Sequence, residues 1–120
     1  LGESIVQGSV TPDEYIVHKP TLKQGYRPII KKQLGTKNTK MIYSKRAEDL
    51  VETISTSSDE QAHYCLSNDE ILELARMVIT IENHYLQQYS KRNLHYTAMD
   101  IEWAKDATDG KIYIVQARPE

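Results

Sequence analysis

From Ile71 to Tyr85 the apolar side chains return every three or four residues: Ile71, Leu74, Ala75, Val78, Ile81 and Tyr85. That spacing lays an apolar stripe along one helix face and predicts a helix over 67–89. Ser67 and Glu70 form a capping-box pair at its start, where hydroxyl and carboxylate satisfy free backbone N–H groups. Asp69 and Glu70 add negative charge to the first turn, which the helix dipole favours. Elsewhere the apolar positions come in short extended runs. Ser4–Gln7 and Glu14–His18 are two of them, punctuated by Gly8 and Thr11-Pro12-Asp13, where Pro presets a turn and Asp can cap it. Arg27–Leu34 is a β-rich run ending at Gly35, and Lys40–Ser44 is expected to be its hairpin partner across residues 36–39. Residues 45–66 are polar and predict a surface excursion with one short strand near Val51. Residues 86–98 are polar and aromatic; they end the helix or extend it amphipathically.

The last two runs carry the most information. Ile101–Ala104 and Lys111–Gln116 flank Asp106-Ala107-Thr108-Asp109-Gly110, a turn in which Gly110 can take positive φ. With the turn centred on position 109, Glu102 falls opposite Gln116 and Asp100 opposite Arg118. Side chains alternate faces along a strand, so these four polar groups share one face. A one-residue bulge would break that register. Carboxylate and amide oxygens suit Mg²⁺, above all where phosphate completes its coordination. Arg118 offers a planar fork of donors matched to phosphate. Spacing alone describes a solvated face equally well, with an Asp100–Arg118 cross-strand pair worth only ~0.2–1 kcal/mol. From spacing alone that reading is the commoner outcome.

Composition narrows the class. A chain of 120 residues with 39% hydrophobic and 27% charged residues has the length of one domain and can bury a core. It is too apolar and too close to neutral for disorder, and no apolar run approaches the ~20 residues of a membrane span. The net charge of −2 argues against general nucleic-acid binding. A single cysteine, Cys65, excludes an internal disulfide scaffold. The opening at Leu1-Gly2-Glu3, without Met or signal peptide, and the close directly after a strand-like run lead us to expect a piece of a larger, cytoplasmic protein.

Three groups of residues carry a resemblance. Asp100-Ile101-Glu102-Trp103-Ala104-Lys105-Asp106, Gly110-Lys111 and Ile114-Val115-Gln116-Ala117-Arg118-Pro119-Glu120 resemble the end of the ATP-binding domain of the phosphoenolpyruvate synthase (pyruvate, water dikinase) family. Leu1-Gly2-Glu3 with Val6-Gln7-Gly8 and Pro12-Asp13-Glu14-Tyr15 resembles the glycine–glutamate strand-turn of the same domain, Val17–Leu22 resembles the synthases more than pyruvate phosphate dikinase or rifampin phosphotransferase, and Ser67–Glu70 with Ile81–Tyr85 resembles the family's helix. The resemblance implies an α+β fold: an ATP-grasp subdomain with a mostly antiparallel sheet and one main helix packed on it. Residues 1–120 would be one subdomain, the C-terminal part of the ATP-binding domain. It implies that Glu102 and Gln116 contact Mg²⁺ and the ATP phosphates, that Arg118 binds phosphate, and that Asp100 supports the site. Glu3 and Gln7 are placed near the nucleotide. The family converts ATP, pyruvate and water to AMP, phosphoenolpyruvate and phosphate, through a phosphohistidine on another domain. The implied partners are therefore ATP, the first ATP-grasp subdomain, the phosphohistidine domain and a pyruvate-binding barrel. None of His18, His63, His84 and His95 has the flanks of that nucleophile, so no catalytic residue is expected here and the isolated chain is expected to be inactive. Residues 86–98 are longer than the expected link to the final hairpin. A pyruvate phosphate dikinase-like or rifampin phosphotransferase-like enzyme, and a non-catalytic interaction module on the same scaffold, remain as alternatives.

Other groups point to packing or solvation. His63, Cys65 and His84 lack the paired short spacings of a zinc site. Cys65 reads as a small buried apolar residue, and Trp103, on the face opposite Glu102, as core. Lys31, Lys32, Lys37 and Lys40 read as a charged edge that guards against strand pairing. Lys19 with Thr21 lacks the glycines of a phosphate loop.

Overall fold

The computed structural model describes residues 8–44, 50–93 and 98–120; the expected strand Ser4–Gln7 lies outside them. The elements are β1 (Glu14–Val17), α1 (Lys19–Lys23), β2 (Ile29–Gln33), β3 (Thr39–Tyr43), β4 (Val51–Ser55), α2 (Ser58–Ala62), α3 (Asn68–Lys91), β5 (Met99–Lys105) and β6 (Ile112–Pro119). The strands pair two by two, β1 with β2, β3 with β4 and β5 with β6. The last two ladders are antiparallel. The α+β class with antiparallel pairing stands, but among the described residues the strands form three separate ladders rather than one sheet. The chain divides into two compact units, residues 1–16 with 29–67 and residues 17–28 with 68–120.

The first unit corrects the expected hairpin. β2 pairs with β1, and β3 finds its partner in β4, with Met41 opposite Thr53 and Tyr43 opposite Val51. The segment between β2 and β3 cannot act as a simple turn because it is pinned to residues 11–13. A side chain on Gly35 would run into the backbone of Thr11 and Pro12. The N–H of Lys37 donates to the Thr11 carbonyl at 3.3 Å, and Lys37 itself sits in the left-handed region at φ 43°.

Asp13 organises this region. Its carboxylate accepts from the N–H groups of Gly35 and Cys65, each at 2.8 Å, and pairs with Lys37 Nζ at 2.9 Å. Its side chain is only 3% exposed and that of Lys37 only 11%. Lys37 Nζ also donates to the His63 carbonyl. Asp13 thus joins three segments distant in sequence, where a local turn cap was expected. Burial alone pushes its carboxyl pKa up, but the bonds from Gly35, Cys65 and Lys37 outweigh burial and hold it below the usual value. Tyr15 donates to Asp13 at 3.3 Å; burial, with the Asp13 charge beside it, pushes the phenol up to about 12.

The basic residues do not make a common edge. Lys37 is buried in its ion pair, Lys40 pairs with Glu60 at 2.6 Å, and Lys32 lies 4.2 Å from the centre of the Tyr64 ring. Cys65 is exposed rather than buried. The polar stretch after β4 also holds α2, closed by a full capping box between Ser57 and Glu60. That Ser-x-x-Glu signal stands in the sequence and marks a helix start.

In the second unit α3 packs against α1 and β6. Leu22, Ile71, Leu72, Ile79 and Ile112 are buried there. Leu72 and Ile79 are more deeply buried than Leu74, Val78 and Ile81, which belong to the expected stripe. A helix with neighbours on two sides buries a wider arc than one stripe. The helix runs two residues beyond the expected Tyr89, to Lys91, and Asn93 follows at φ 55°. Pro20 opens α1, where its missing N–H is no loss. Ion pairs at 2.6 Å link Lys19 to Glu82 and Lys105 to Glu70. Trp103 lies on the apolar face of its hairpin but is 40% exposed, so it is a margin rather than core.

Candidate functional site

The β5–β6 hairpin is built from its turn outward. The Asp106 carboxylate accepts from the Thr108 N–H at 2.6 Å, and the Asp106 carbonyl accepts from the Gly110 N–H at 2.8 Å. Gly110 takes φ 70°, as the turn requires. Asp109 accepts from the Lys111 N–H at 2.8 Å and from the Tyr113 hydroxyl at 2.5 Å. The Tyr113 bond, then the Lys111 bond, holds the Asp109 carboxyl below its usual pKa, and the same contact raises the Tyr113 phenol. Asp109→Asn is therefore expected to lower the pH at which Tyr113 ionises, read by ultraviolet absorbance; an unchanged titration would contradict the contact.

Near the turn the strands pair Lys105 with Ile112, Ala104 with Tyr113 and Trp103 with Ile114. These pairs are one residue out of the expected register. Between Glu102 and Trp103 the register shifts, leaving Val115 as the extra residue of a bulge. Beyond it Glu102 lies opposite Gln116, and Asp100 opposite Arg118. The expected pairs are thus present, and the bulge creates them. Without it, a ladder continued from the turn would set Glu102 against Val115 and Asp100 against Ala117. Aligning the four polar side chains depends on that one looped-out residue.

On this face Asp100, Glu102, Gln116 and Arg118 are all exposed. Arg118 Nε and Nη2 donate to Asp100 Oδ2 at 3.1 and 3.0 Å. Both bonds fall on one carboxylate oxygen, and neither uses Nη1. Asp100 therefore steadies the guanidinium while leaving donors for an incoming anion. Such an exposed pair contributes little to stability. Glu102 and Gln116 side chains make no hydrogen bond or ion pair among the described residues. One carboxylate and one amide, with a second carboxylate next to them, fit the few hard oxygens that Mg²⁺ takes from a protein when phosphates supply the rest. Among the described residues no group of three or more His, Cys, Asp and Glu forms a metal cage. His63 Nδ1 instead lies 2.7 Å from the Asp59 carbonyl, and His84 stacks edge-on with Tyr85 at 5.5 Å. Glu3, Gln7 and His95 lie outside the described residues. His18 Nδ1 lies 2.8 Å from Thr21 Oγ1, and Lys19 is taken up by Glu82. The Asp13–Lys37 centre escaped the sequence reading, because residues 24 positions apart carry no spacing signal.

A family model described as the pyruvate phosphate dikinase AMP/ATP-binding domain matches residues 1–120. The chain belongs to that family. It is 50% identical over 120 residues to a phosphoenolpyruvate synthase of Synechocystis and 50% identical over 120 residues to one of Aquifex aeolicus. It is 41% identical over 122 residues to that of Escherichia coli. Each match takes in 100% of this chain but only 14%, 13% and 14% of the relative, so the chain spans about one seventh of the length of these proteins. Among the described residues no helix is long and apolar enough to cross a membrane.

Proposed function

We propose that this chain is the C-terminal part of an ATP-grasp nucleotide-binding domain, and that its β5–β6 face holds the Mg²⁺–phosphate end of ATP in a cytoplasmic phosphoenolpyruvate synthase. The observation that carries this reading is the exposed face on which Glu102 stands opposite Gln116 and Asp100 opposite Arg118. Glu102 and Gln116 would hold the cation, which when bound neutralises phosphate oxygens. Arg118, oriented by Asp100, would donate to a phosphate. Glu3 and Gln7 are assigned to the nucleotide by resemblance to the family. Phosphoryl transfer asks the protein mainly to position phosphates and stabilise their charge, and these residues are suited to that. The parent reaction would turn ATP, pyruvate and water into AMP, phosphoenolpyruvate and phosphate. Its histidine nucleophile and pyruvate site would belong to other domains, so this chain alone would not turn over.

Calorimetric titration of Mg²⁺–ATP into the full-length protein tests the site. Glu102→Ala and Arg118→Ala are each expected to weaken binding about 10–100-fold, the range of one or two kcal/mol-scale charged contacts. Variants that bind as tightly as wild type would remove the site from this face. Absence of binding by the wild type would favour an interaction module instead.

A further inference from the structure

The Val115 bulge does more than the register demands. Looping that residue out is how the present chain brings Glu102 opposite Gln116 and Asp100 opposite Arg118. A strand lacking Val115 altogether would reach the same pairs by plain alternation, with Ile114 opposite Trp103, then Gln116 opposite Glu102, and Arg118 opposite Asp100. The extra residue is therefore dispensable for register. It adds little to burial either, since Val115 is 60% exposed. What it brings is a bend and a stronger local twist, at the cost of a disrupted ladder. Bulges recur beside functional sites, where they re-aim a side chain.

The bend falls at one particular pair. In a regular ladder, directly opposed side chains have Cβ atoms about 4.5–5.5 Å apart and interact across the strands. A glutamine amide is a donor and a glutamate carboxylate an acceptor, so such a pair can close on itself. Asp100 and Arg118, two residues beyond the bulge, do bond to each other, at 3.0 and 3.1 Å. Glu102 and Gln116, directly at the bulge, share no hydrogen bond among the described residues.

We infer that the Val115 bulge is a positioning device: it keeps Gln116 from closing on Glu102, so that both side-chain oxygens stay open to a cation. The inference rests on the reading of this face as the Mg²⁺–phosphate site. Deletion of Val115 in the full-length protein tests it, beside Val115→Ala, which keeps the residue count and with it the bulge. Hydrogen exchange of the metal-free protein reads the hairpin. Peptides over Met99–Lys105 and Ile112–Pro119 should be at least as protected in the deletion variant as in wild type, because every pair is retained. Calorimetric titration reads the site. The deletion should weaken Mg²⁺–ATP binding about 10–100-fold, the range for groups that orient metal ligands. Val115→Ala should stay within about threefold of wild type, well inside one tenfold step of affinity. A deletion variant that binds as tightly as wild type would overturn the inference. So would lost protection in the hairpin, or equal weakening by Val115→Ala, which would make the side chain itself the contact. Glu102→Ala separates the two levels. If it too binds like wild type, the site reading falls and the inference with it; if it weakens binding while the deletion does not, the inference alone falls.

Discussion

Asp13→Ala is expected to destabilise this chain by about 3–5 kcal/mol, the usual consequence of stranding one charge of a buried pair. The Lys37 ammonium would remain in a site where only 11% of its side chain meets water. The N–H groups of Gly35 and Cys65 would lose their acceptor at the same time. The midpoint of urea unfolding reads the loss. Asp13→Asn keeps an acceptor oxygen and should lose less. Replacing both partners, Asp13→Leu with Lys37→Met, should recover part of the loss, since an apolar pair leaves no charge unpaired. A change below about 1 kcal/mol in the single Ala variant would show that Asp13 is not the centre of the unit. The pH dependence has a definite sign. The folded carboxyl lies below its ordinary value, so its contribution is fully present above the unfolded pKa of about 3.9 and is lost as pH falls through the lower folded value. The Ala variant should lack that part of the acid transition.

The second large effect belongs to the helix. Leu72 is 0% exposed, and Leu72→Ala is expected to cost about 2–5 kcal/mol through lost transfer energy and the cavity left behind. Leu86, on the same helix but 43% exposed, provides the contrast. Leu86→Ala should stay within about 0.5 kcal/mol of wild type. Equal losses at the two positions would mean that helix propensity, not core burial, governs the effect. The comparison matters because the simple stripe of three- and four-residue spacings passes over Leu72.

The four residues of the candidate site were legible in the sequence for a reason that is partly fortunate. A turn centred on position 109 predicts one constant register, whereas the strands start one residue out of it and regain it at Val115. The polar alternation of Asp100 with Glu102 and of Gln116 with Arg118 was the dependable signal, because period two follows from strand geometry whatever the turn does. The β3 strand failed for the opposite reason. Its neighbour in sequence, β2, is a plausible hairpin partner by composition, yet β3 pairs with β4. That choice depends on Gly35 and Lys37 being held against residues 11–13, contacts that no local pattern encodes.

The sequence by itself determined the family, the long helix, the closing hairpin and the four polar residues on its face. All of these rest on motifs or on the fixed periods of helix and strand. Only the tertiary structure decided that β2 pairs with β1 and β3 with β4, how broad an arc of α3 is buried, and that Asp13 and Lys37 meet in a nearly dry ion pair. Those outcomes depend on which distant segments come to lie together, and a contact between residues 24 positions apart leaves no periodic trace in the chain.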